Sequence, residues 1–64
     1  MGRLFLTMAE AKDYAERLGA KASRSTVRRW VEEGLVETYM IGDRRYVERS
    51  SLRRFLIPKL VELR

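Results

Sequence analysis

The chain has 64 residues, 45% of them hydrophobic and 36% charged, and its 14 basic against 9 acidic side chains give a formal net charge of +5. A chain this short buries only about 60% of the surface its unfolded form exposes, which predicts one domain, 1–64, around a small core with no room for a deep catalytic cleft. Cysteine and histidine are both absent, which removes disulfides and the usual zinc ligands, and no apolar run approaches the roughly 20 residues that cross a bilayer.

No repeat, linker or low-complexity tract divides the sequence, so its elements are read as one unit. Thr7 is placed to cap a first helix, with Glu10 as its capping-box partner and Leu6 stapled onto Ala11. Met8, Ala11, Ala15 and Leu18 then recur at helical spacing with Tyr14 beside them, and Gly19 supplies a left-handed stop, so a helix is expected over 8–18. After a short turn Ser23 caps a second helix, 24–33, whose apolar stripe is Val27, Trp30 and Val31 and whose stop is Gly34. Residues 36–48 alternate β-branched and aromatic side chains around Gly42 and Asp43, the pattern of a two-stranded hairpin with its tip at Gly42, Asp43 and Arg44. Ser50 and Ser51 lead into Leu52, Phe55 and Leu56, a third helical stripe over 50–57. Pro58 is expected to kink or restart the chain, leaving a short segment 58–64. The fold class is mostly α with a small β-hairpin, in the order helix, helix, hairpin, helix.

The second helix carries the feature that points to function. At about 100° per residue, Val27, Trp30 and Val31 share one side, Ser25, Arg29 and Glu32 lie opposite, and Arg28 is on the flank. Arginines toward its front and Glu32 and Glu33 at its back oppose the helix macrodipole, by roughly 0.3 to 1 kcal/mol each when exposed. Pairing of Arg28 with Glu32 and of Arg29 with Glu33 at i, i+4 recovers only a few tenths per pair. On any helix such a face is first of all a solvated one. Here it follows a helix and a short turn and precedes a hairpin with arginines at its tip, which is the way a winged helix-turn-helix domain meets DNA. Ser25 and Thr26 add hydroxyls that reach phosphates or base edges. Trp30, central in the apolar stripe, is read as core.

The segments STVRRWVEEGLV, GDRRYV and SSLRRFL resemble the MerR-like and excisionase-type winged helix-turn-helix domains, over about residues 6–56. The family's threonine, arginine and following glycine fall on Thr26, Arg28 and Gly34 without a gap, its wing glycine on Gly42, its wing arginine on Arg45 and its third-helix leucine on Leu52. Its wing tyrosine falls on Val47, with Tyr46 one position earlier and, by strand alternation, on the opposite face. The resemblance implies a second helix in the major groove, formed by Arg24, Ser25, Thr26, Arg28 and Arg29, and a wing on backbone or minor groove, formed by Arg44 and Arg45. Lys21 in the turn and Tyr46 on the wing complete the candidate DNA-binding set.

The expected function is therefore a non-enzymatic, double-stranded DNA-binding protein without cofactor or metal, either a small transcriptional regulator or a recombination directionality factor. No long dimerisation helix or sensor segment follows within these residues, which favours the small excisionase-like or stand-alone members. Glu32 and Glu33 have no histidine, cysteine or phosphate loop to work with, so catalysis is not expected. Asparagine and glutamine, the usual readers of adenine, are missing, so direct base readout must rest on arginine to guanine plus hydroxyl or methyl contacts from Ser25 and Thr26. An alternative from another class is a protein-interaction module, self-associating or holding a partner through Leu56, Leu60 and Leu63. Without a signal or spanning segment, the expected location is the cytoplasm and not a membrane.

Overall fold

The computed structural model of the chain describes residues 4–62. Its elements in order are β1 (Phe5–Leu6), α1 (Met8–Arg17), α2 (Arg24–Glu32), β2 (Thr38–Ile41), β3 (Arg44–Glu48) and α3 (Arg49–Glu62). Three helices and a small antiparallel sheet in this order make a winged helix-turn-helix.

The local signals act where the sequence places them. Thr7 accepts a hydrogen bond from the Glu10 amide while the Glu10 carboxylate accepts one from the Thr7 amide, closing the capping box of α1. At the other end the Ala20 amide donates to the Ala15 carbonyl and the Gly19 amide to that of Glu16, with Gly19 at φ 106°. This is a Schellman motif, and it is repeated at the end of α2, where Leu35 donates to Trp30 and Gly34 to Val31 with Gly34 at φ 73°. Two left-handed glycines thus set where the chain leaves each helix of the pair.

The hairpin turns at Gly42 and Asp43, with Ile41 opposite Arg44. Only Gly42 of the two has a positive φ, 66°, as a type II′ turn requires of its first central residue. The sequence pattern predicts two strands only. The structure adds β1, which pairs antiparallel with β3 through Phe5 opposite Glu48 and Leu6 opposite Val47, giving the order β1-β3-β2. Two residues are too few to show alternation, which is why β1 was illegible; its backbone is held by pairing and by the burial of Leu6.

The core is built from small side chains. Ala11 and Ala15 of α1, Val27 of α2, Val47 of β3 and Leu52 of α3 are fully enclosed, with Leu6, Val36 and Leu56 nearly so. Large side chains form its rim: Trp30 and Phe55 are half-buried and meet edge to face at 5.3 Å between ring centres. Trp30 therefore seals the joint between α2 and α3 from outside and is not at the centre of the core.

Helix α3 departs from expectation at both ends. It begins directly after β3 with no intervening residue, and Ser51, expected to lead in, is buried in its first turn, where its hydroxyl accepts a 2.7 Å hydrogen bond from the Glu37 amide. It also runs through Pro58 as one helix, so of the kink or restart expected there the restart does not occur. Pro58 lies on the exposed side, so the lost bond to the Arg54 carbonyl falls on the solvent face. Leu60, one turn past Leu56, still packs on the core and favours continuation. The same geometry removes Leu56 from the strip proposed for partners, because it is 2% exposed and belongs to the core; Leu60 is half-buried, and Leu63 lies outside the described residues.

Candidate nucleic-acid interface

Helix α1, residues 18–23 and helix α2 form the helix-turn-helix. Ala11 and Ala15 are the buried residues of α1, and Val27 is the one that α2 sets into the core. Ser23 begins α2: its Oγ accepts from the Thr26 amide at 3.2 Å and shares a 3.1 Å hydrogen bond with Thr26 Oγ1. This fixes where the helix starts, and Val27 in the core fixes its rotation and with it which side chains leave the surface.

Arg24, Ser25, Arg28 and Arg29 are all exposed on α2, and Lys21 is exposed in the turn before it. Helical spacing places Ser25 and Arg29 outermost, opposite Val27, with Arg24 and Arg28 one turn apart along a single flank. Thr26 is half-buried and its hydroxyl is engaged at the cap. Arg44 and Arg45 are exposed at the start of β3, while Tyr46 is half-buried on the outer face of the sheet, opposite Tyr39. Tyr39 in turn packs edge to face on Phe5 at 5.3 Å, so Tyr46 belongs to a small aromatic layer.

Two electrostatic expectations change. With α2 only nine residues long, Arg29 stands in its last turn, where a cation is favoured by the macrodipole. Of the arginines only Arg24, in a first turn that has no acidic residue, stands against it, while Glu32 and the C-cap Glu33 oppose it at the other end as the sequence predicts. The pairs Arg28–Glu32 and Arg29–Glu33 do not form: among the described residues the ion pairs are Lys12–Glu16 at 3.0 Å and Arg54–Glu48 at 3.7 Å. Lys59 sits over the Phe55 ring at 5.1 Å. By contrast Lys21, Arg24, Arg28, Arg29, Arg44 and Arg45 have no side-chain partner among the described residues. Arg17, Arg49 and Arg53 share that state elsewhere on the surface.

A family model described as a helix-turn-helix domain matches residues 5–57, and the chain belongs to that family. The match begins at β1 and ends in α3, so it takes in the helix pair and the wing together. No curated protein and no solved structure matches the chain. Helix-turn-helix domains bind DNA and in general are not catalysts, and DNA binding is the role that membership assigns. Among the described residues no helix is long and apolar enough to cross a membrane.

Proposed function

We propose that the chain, as a single winged helix-turn-helix unit over 1–64, is a non-enzymatic double-stranded DNA-binding protein of the MerR-like or excisionase type, serving as a small transcriptional regulator or a recombination directionality factor. Helix α2 enters the major groove, with Arg28 and Arg29 reading guanines and Arg24, Ser25 and Lys21 on neighbouring phosphates. Thr26 orients the helix start, and Arg44 and Arg45 of the wing meet backbone or minor groove, with Tyr46 beside them. The observation that carries the reading is the set of six exposed basic side chains on turn, helix and wing that have no partner among the described residues. A polyanion supplies the missing countercharge, and each phosphate neutralised lowers the affinity's log-log salt slope by about 0.9. The alternative, a protein-interaction module on the C-terminal strip, loses support with Leu56 in the core.

The test is selection from a random duplex pool at physiological salt, followed by titration of the enriched duplex across salt. Enrichment of a short guanine-centred motif and a steep negative slope are expected. No enrichment and a slope near zero overturn the reading.

A further inference from the structure

Strand β2 has a composition that neither the fold nor the arginines account for. It is an outer strand of the sheet, and Tyr39, Met40 and Ile41 are exposed by 44%, 60% and 51%. No charge or proline interrupts its four residues, although edge strands are ordinarily blunted in that way. Adjacent apolar side chains leave a strand on opposite faces, so neither face of the wing near its tip is polar on the β2 side.

The register supplies what stands beside them. Met40 is opposite Arg45 and Ile41 opposite Arg44, and directly opposed residues share a face with Cβ atoms about 4.5 to 5.5 Å apart. Each face of the tip is therefore one apolar side chain next to one arginine. Neither arginine has a partner among the described residues, and the chain as a whole is +5. A second copy of this chain would bring the same unpaired cations to the same edge, whereas a phosphate backbone neutralises them.

We propose that the wing tip is an apolar wedge for the minor groove of double-stranded DNA. Met40 and Ile41 press against the sugar walls and unstack the base step beneath the tip, and Arg45 and Arg44 hold the flanking phosphates. This rests on the DNA-binding reading above and adds the residues that deform the duplex. Methionine and isoleucine are among the side chains that serve as such wedges, and the kinks they produce run from about 20° to 90°. Pyrimidine–purine steps unstack most cheaply, so the wing selects a flexible step without contacting a base edge.

The experiment uses the full chain and a selected duplex of about 30 base pairs with a fluorophore at each end, the length over which such bends are ordinarily gauged. The TA step under the wing is compared with AA in a matched duplex. Met40→Thr/Ile41→Thr is the test variant, since threonine suits a strand and both positions are exposed; an unchanged melting temperature confirms that it folds. Wild type is expected to bend the duplex by about 20° or more and to prefer TA. The double variant is expected to remain bound while the bend falls to that of the free duplex and the preference disappears. An unchanged bend and preference in the variant overturns the wedge, as does loss in the variant of a dimer that sedimentation detects without DNA, with the bend retained. Wild type that binds but does not bend overturns the wedge alone, whereas wild type that binds no duplex overturns the DNA-binding reading itself.

Discussion

Helix α2 and the wing present the same guanidinium chemistry on unlike supports. The helix is held at its start by the Ser23 cap, at its end by the Gly34 motif, and along its length by Val27 in the core and Trp30 against Phe55. The wing is held at its base, where Val47 is fully buried, Thr38 pairs with it and Tyr39 meets the Phe5 ring; from Met40 to Arg45 every residue is exposed. Reading a base edge requires a side chain whose origin is fixed, because a bidentate pair tolerates little displacement. Contacts to phosphate and to groove shape carry position and deformation, and they accept a less anchored support. The difference assigns direct readout to α2 and shape to the wing.

The largest effect that would break this contrast is loss of the helix's anchor. Trp30→Ala removes a half-buried indole from the rim and is expected to cost about 3 kcal/mol, the lower end for an aromatic truncation, which is a large part of what so small a domain has. Denaturant titration measures it. A variant with unchanged midpoint and abolished DNA binding would mean that α2 is rotated and Trp30 faces DNA.

Next come Arg28→Ala and Arg29→Ala, each expected to relax preference at one guanine by about 1 to 3 kcal/mol in a base-substitution series. Uniform loss across all sequences would transfer the reading role away from α2. Arg45→Ala sharpens the other side of the comparison: affinity should fall evenly over sequences and the salt slope should flatten by about one. The smallest effect concerns Asp43 in the turn, the acidic residue nearest the two wing arginines in sequence. Asp43→Asn should raise affinity by a few tenths of a kcal/mol, the scale of one exposed charge, in titrations at low salt. A loss of affinity would show that the aspartate positions an arginine.

The helix pair was legible because its signals are local. A capping box, a serine cap and two glycine stops each act over no more than five residues, and each forms in the fold at the residue where the sequence places it. The hairpin was legible for the same reason, through Gly42. Contributions from distant parts of the chain were not: β1 exists because β3 offers it an edge, Ser51 is buried because Glu37 has an amide to satisfy, and α3 passes Pro58 because Leu60 has core to cover. Of the candidate interface, the arginines of α2 could be placed by counting residues, except that counting put Arg29 at the wrong end of a helix only nine residues long. Met40 and Ile41 were visible as strand formers, but their exposure depends on β2 lying outermost, which register and strand order decide.

The buried alanines of α1 have a consequence for how this sequence can drift. Ala11 and Ala15 expose no surface at all, so nearly any larger residue overpacks the core at a cost of about 1 to 3 kcal/mol. Neither alanine touches the candidate interface, yet both should be among the positions least free to vary, while Arg24 and Arg28 can change without harm to folding. A saturation library sorted for soluble protein and the same library sorted for duplex binding would then draw two different maps. The positions silent in the first and intolerant in the second would outline the DNA contact surface without any structure of the complex.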